Sequence, residues 1–435
     1  MKQSERWQPT AAHFRALIGG LLLTVVAILA RRPDVLVLAT PLIVAAAWGA
    51  ALRPTQVPVI SQSLAHGTVR EGQATTWQVC VDDPEGRIDD VGAQLPPSIW
   101  TERRPIHGQV AASLHDDGAE PLSVTVRGTR WGRRRLEPPV VVASAAWAAH
   151  QWAATFHTTA CTLLTLPQPA PFDAAAPPVR VPGHVGVNRS PREGGGTEFA
   201  GVRAFQPGDR LRRIHWTRSV RTGTLHVTTT WADHDRQIVL LVDALDDVGE
   251  SGGVDGAASS LDIAVRAASA IAGHYITVGD RVGLVAIGAR GVQRVPAASG
   301  SRHLRRMLEV MATIVPARAT SDDGRLPRGL NDEALVVMLS PLLSPAAMQR
   351  VRTLTARGIT TMVIDCLPDG IALQDPDDAY VGIAWRIEVL TRDRDLRLLR
   401  EAGVSVVPWR GPGSLDAVLR DLHRHGRAGG RPAHG

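Results

Sequence analysis

Asp209, His215 and Ser219 lie within one short stretch and have the side-chain types of a hydrolase triad. A serine hydroxyl becomes a nucleophile when an imidazole takes its proton and a carboxylate holds that imidazole in place. A histidine four residues from a serine, on adjoining strand positions, does not set its ring on the hydroxyl. No G-x-S-x-G elbow leads directly into a helix either. The residues therefore give no nucleophile, and the expectation is a protein that is not an enzyme. A second set is acidic: Asp243, Asp246 and Asp247 follow one apolar run, and Ser340 follows a later one. Oxygen ligands at the ends of strands suit a hard cation, and magnesium demands a near-octahedral set. Leu245 and Asp247 stand where an Asp-x-Ser-x-Ser adhesion site carries its hydroxyls, and Ser340-Pro341 brings no carboxylate. Such a site is degenerate. No cofactor is expected, and magnesium is the one ion this set would admit.

The densest chemistry is in GTEFAGVRAFQPGDRLRRIHWTRSVRTGTLHV, residues 196–227. Pro207 presets one turn dihedral and Gly208 permits the next. Asp209 can accept backbone donors in that turn, or pair with Arg203 or Arg213. The planar fork of arginine suits a bidentate carboxylate. A helix does not tolerate Pro207-Gly208 in its interior, so the spacing predicts strand, turn, strand. Trp216 is expected to be buried and to fix this hairpin against the domain that follows. The charge exceeds what a turn needs, and two uses remain open: a structural weld between domains, or a surface for a partner.

The elements that position these residues follow from composition and pattern. The 435 residues allow two or three domains, with a net charge of +6 carried almost wholly by arginine. Lys2 is the only lysine. That removes a P-loop, a Schiff-base lysine and a kinase-type strand lysine, so the chain is no ATPase itself. Aromatics are 4% and arginines are dispersed, which argues against nucleic acid as a partner. Cys80, Cys161 and Cys366 lie far apart and make no C-x-x-C pair, so neither a disulfide framework nor a zinc site is indicated.

Residues 16–30 and 35–52 are free of Asp, Glu, Lys and Arg apart from the break at Arg31-Arg32-Pro33-Asp34. At 1.5 Å per residue they span roughly 22 and 27 Å, and arginines at their ends can snorkel to close the gap to a bilayer core. Residues 1–54 therefore read as a transmembrane helical hairpin, with lipid as its partner. Lys2, Arg6, Arg15, Arg53 and Arg70 against Arg31 and Arg32 favour both termini in the cytoplasm. Residues 55–170 hold short β-type runs at 75–81, 122–128 and 139–143 with turn clusters between, which predicts a small β-sandwich. Residues 171–235 form a Pro/Ala/Gly-rich linker followed by the motif hairpin. From 236 to 426, apolar strands at 237–242, 281–287, 334–339, 360–365 and 404–407 alternate with helices, including one at 415–425. A short antiparallel partner at 292–295 distinguishes a von Willebrand A-like, Rossmannoid α/β domain from an ordinary dinucleotide fold. Residues 427–435 read as a disordered tail.

Together the hairpin, the β-rich segment, the Arg-Pro-Gly-Asp-Trp motif and the α/β tail resemble domain-of-unknown-function family fifty-eight, over nearly the whole chain. Arg203, Pro207, Gly208, Asp209, Arg213, Trp216, Ser219 and Arg221 match its pattern, while His215 stands where members also carry Asp or Asn. The resemblance implies a membrane-anchored scaffold or adaptor working by protein–protein binding with a MoxR-type AAA+ ATPase, its soluble domains cytoplasmic. The alternative is an extracytoplasmic module using metal-assisted adhesion.

Overall fold

The structure is a computed structural model that describes residues 6–114, 121–155, 161–168, 189–233, 237–317, 326, 334–371, 379–410 and 414. The expected linker over 170–188, the helix at 415–425 and the tail at 427–435 lie outside the described residues. The chain divides into two compact units, Met1–Leu166 with Gly253–Asp255, and Pro167–Gly252 with Gly256–Gly435.

The first unit opens with two helices, α1 (Ala11–Leu29) and α2 (Asp34–Ala51), both long and apolar enough to cross a membrane. The first is longer than the apolar run implied, because Thr10 accepts a hydrogen bond from His13 N and starts the helix ahead of Arg15. At 1.5 Å per residue the helices are about 28 and 27 Å long. Their residue distribution is inverted relative to a helix pair in water. Gly20, Ala27, Ala39, Ala46 and Gly49 are the buried residues, while Leu21, Leu22, Ile28, Leu29, Val37 and Leu38 point outward. A Cβ on Gly20 would lie 2.8 Å from Cγ1 of Ile43, so the two backbones approach closely there. Small residues between helices and large apolar ones outside is the pattern lipid selects.

The described residues between 55 and 166 form a small three-stranded sheet, with Thr162–Leu166 parallel to Thr68–Arg70 and antiparallel to Gly132–Arg135, and two larger antiparallel sheets. One runs in spatial order Gln8–Pro9, His150–Thr155, Val140–Ala145, Ile88–Gln94, Gln109–Ser113. The other runs Val59–Leu64, Ala74–Asp82, Leu122–Gly128, Thr101–Arg104. Alternation along 74–82 and 122–128 puts Trp77, Val79, Val124 and Val126 inward, where they share one core with Val91, Ala93, Val141 and Ala143 of the first sheet. Trp7 joins that core, so the segment ahead of α1 packs into the β-rich part rather than standing apart from it.

The second unit is built on a six-stranded sheet ordered Gly291–Ala298, Arg281–Gly288, Gln237–Asp243, Leu335–Ser340, Thr361–Asp365, Ser405–Pro408. All neighbours are parallel except the first pair, which is the antiparallel hairpin expected from sequence. Every residue of Leu335–Ser340 is buried, as a strand covered on both faces requires. Helix α3 (Trp216–Thr222) belongs to the motif and is described below. Helices α4 (Ser260–Val278), α5 (Ser301–Met311), α6 (Pro345–Ala356) and α7 (Ala379–Glu401) connect the strands. The strand order reverses at Gln237–Asp243, and Asp243, Ser340 and Asp365 all end parallel strands on the same edge. Ligands in open α/β sheets bind beside such an edge.

Candidate binding surface

The motif differs from the expected strand, turn, strand. Strands Arg189–Ala204 and His226–Asp233 do pair antiparallel, but a 3-10 turn at Leu211–Arg213 and α3 fold between them. Proline and glycine exclude a helix only where they sit, and the run after Asp209 contains neither until Gly223. That glycine ends α3 in the left-handed conformation, φ +72°, and His215 starts it by accepting Arg218 N on Nδ1 at 3.2 Å. Gly223 was the sequence signal for this helix; His215 is an uncommon N-cap and gave little warning.

The turn itself is held as the residue types suggested. Gly208 has φ +106°, and Asp209 N donates to Gln206 O at 3.1 Å. Arg203 grips Asp209 with both terminal nitrogens, each at 2.7 Å, and Gln206 N donates to the same carboxylate at 2.8 Å. Arg203 rather than Arg213 is the partner; its hydrogen bonds, and then that of Gln206, hold the Asp209 carboxyl below the usual aspartate range. Ser219 is buried, donates to His215 O at 3.0 Å and accepts His226 N at 2.9 Å. The serine thus ties α3 to the next strand. Its hydroxyl meets backbone atoms and not the imidazole of His215, so these three residues form no triad in this arrangement.

Trp216 overturns its expectation. It is 64% exposed, one helical turn from Val220 at 81%, with Leu211 also exposed nearby. Residues four apart share a helix face, so Trp216 and Val220 present one apolar spot. Arg210, Arg212, Arg218 and Arg221 of the same motif are also exposed, and none makes an ion pair among the described residues. Arg213 is half-buried. The one carboxylate within 203–225, Asp209, is already held by Arg203. The motif therefore presents an apolar and cationic surface on a turn that is internally rigid.

The acidic set at the strand ends has a different fate. Asp243 is buried, accepting Ser340 Oγ at 2.6 Å and Leu245 N at 3.1 Å; burial pushes its carboxyl above the usual range. Asp246 is shifted upward too, by burial. Asp247 accepts Leu261 N at 3.1 Å, satisfying a free backbone donor in the first turn of α4. Arg392 of α7, which sequence reasoning did not single out, is buried beside them, donating to Asp365 and to Pro341 O at 2.7 Å. Its spacing ahead of the buried Leu396 and Leu399 was the available signal. Among the described residues no group of three or more His, Cys, Asp or Glu is placed to hold a metal ion. Asp243 and Asp247 are engaged by the chain's own donors, and the Arg392 guanidinium lies at the same strand edge.

Residues 201–383, from the motif strand into α7, match the family described as protein of unknown function DUF58. That is a narrower reach than the whole-chain resemblance implied. Among individual relatives, the uncharacterized proteins Mb1516 of Mycobacterium bovis and Rv1480 of Mycobacterium tuberculosis H37Rv are each 29% identical over 247 residues, covering 55% of this chain and 68% of theirs.

Proposed function

We propose that this chain is a membrane-anchored adaptor that works by binding another protein through the motif surface. The observation that carries the reading is the exposed Trp216–Val220 spot on a motif that also exposes Arg210, Arg212, Arg218 and Arg221, beside a turn clamped by Arg203 and Asp209. Aromatic and arginine side chains dominate protein–protein hot spots, and a rigid turn loses little entropy on docking. α1 and α2 span the bilayer as a hairpin, and the parts of both units outside the hairpin lie in the cytoplasm. The strand order, with its one antiparallel edge, supports a von Willebrand A-like domain as the carrier of the motif. By the family resemblance the partner is a MoxR-type AAA+ ATPase, which supplies the nucleotide hydrolysis that a chain with Lys2 as its only lysine is not equipped for.

The test is a gentle-detergent pull-down of the full-length protein from its native membranes, with mass spectrometry. A Trp216→Ala/Val220→Ala variant runs beside it; both side chains are exposed, so the fold is expected to persist. An AAA+ ATPase recovered by wild type and lost from the variant is the expected result. Equal recovery by both moves the contact off the motif, and recovery by neither sinks the adaptor reading.

A further inference from the structure

Helix α7 is apolar on two sides. Arg392, Leu396 and Leu399 are buried, with Trp385 and Val389 half-buried along the same side. Ile383, Ile387, Leu390 and Leu398 are exposed. At 3.6 residues per turn these four fall within an arc of about 80°, nearly opposite the buried side, and run along roughly 22 Å of helix. An isolated exposed leucine means nothing, but a continuous stripe of this length has an occupant.

Charge identifies which occupant. Arg386, Arg394, Arg397 and Arg400 are exposed on α7, beside or within the stripe, and none makes an ion pair among the described residues. Of the four acids on α7, Asp395 pairs with Arg352 at 3.5 Å, Asp393 lies 3.9 Å from Arg392, Glu388 is exposed away from the stripe and Glu401 is exposed just past its end. A second copy of the helix is a poor fit to this pattern. Parallel pairing along the stripe sets Arg394 against Arg394, and antiparallel pairing about its centre sets Arg394 against Ile387 of the other copy. A surface that is uniformly anionic with an apolar interior satisfies both features at once. Arginine stems lie along the apolar stripe while their guanidinium groups reach phosphates, the arrangement of an interfacial helix.

We propose that the outer face of α7 rests on an anionic phospholipid surface. The inference depends on α1 and α2 anchoring the chain in the same membrane, and the experiment separates the two claims. The full-length protein, with Cys80→Ser to remove the exposed native thiol, receives one nitroxide at a time at Val26→Cys in α1, Ile387→Cys in α7, or Arg305→Cys in α5 as an aqueous reference. It is reconstituted into nanodiscs of phosphatidylcholine alone or mixed with phosphatidylglycerol. The ratio of collisions with oxygen to collisions with a nickel chelate reports depth. The Val26 label is expected to be lipid-immersed in both compositions; an aqueous Val26 label would overturn the anchor. With Val26 immersed, the Ile387 ratio should rise severalfold above Arg305 in the anionic discs and fall back in phosphatidylcholine. Arg394→Gln/Arg397→Gln should abolish that rise. An aqueous Ile387 label in both compositions overturns the proposal. So does low collision with both reagents, which means a protein cover, and spin–spin broadening would then identify it as a second copy.

Discussion

At the scale of single residues, the motif is decided by which groups already have partners. Asp209 is spoken for by Arg203 and Gln206, and Ser219 by the backbone of His215 and His226. What remains to act on another molecule is the tryptophan and the arginines no carboxylate holds. The Asp209 carboxyl, held low chiefly by Arg203, adds stability above its unfolded value near pH 4, and that stability is lost as the pH falls through the folded value. Asp209→Asn should therefore lower the thermal midpoint at pH 7, with the gap to wild type closing in acid below the ordinary aspartate range. A gap of constant size across that titration would mean that the charge of Asp209 is not what holds the turn. The residue types at 203 and 209 announced this pair. The choice of Arg203 over Arg213 needed the fold, because only the bend at Gly208 brings residue 209 back onto the strand that carries 203.

At the scale of elements, two contacts are informative. The first is the approach of α1 to α2 at Gly20, where any Cβ meets Ile43. Gly20→Leu should push the helices apart at a cost of about 1–3 kcal/mol, read as a lower denaturation midpoint in detergent and faster proteolysis in the 31–34 turn. Unchanged behaviour would mean the helices do not pack this way. The second is Arg392, which joins α7 to the ends of two strands. Removing a buried charge leaves its partner uncompensated, so Arg392→Met should cost about 3–5 kcal/mol. Adding Asp365→Asn should recover part of that loss, since the orphaned carboxylate goes with it; strict additivity in chemical denaturation would show the pair to be uncoupled. The i, i+4, i+7 spacing of Arg392 with Leu396 and Leu399 was the signal for its inward face, but the carboxylate it meets there is supplied only by the fold.

At the scale of the whole molecule, the arginine bias around the helix pair sets a direction. Arg6, Arg15, Arg53 and Arg70 lie on the terminal side against Arg31 and Arg32 in the turn, so both soluble units are expected in the cytoplasm. A phosphatase reporter fused after His425 should be silent, and a cytoplasmic reporter at the same position active. The reverse pattern would place the motif outside the cell, where no AAA+ ATPase works.

The sequence by itself determined what depends on local pattern. Apolar runs at 237–242 and 334–339 dictate covered strands, and the gap at 31–34 splits two apolar helices, because burial follows hydrophobic periodicity whatever the neighbours do. Tertiary structure alone decided what depends on competition for partners. Trp216 looked like core and lies outside, since α3 turns it away from the strand pair once Ser219 takes the inner position. Asp247 stood in the candidate cation set and accepts a backbone N–H at the start of a helix, and Asp243 is closed off by Ser340. A hydrogen bond or ion pair can be satisfied by whichever group the fold delivers first, and residues distant in sequence are delivered only by the packed sheet.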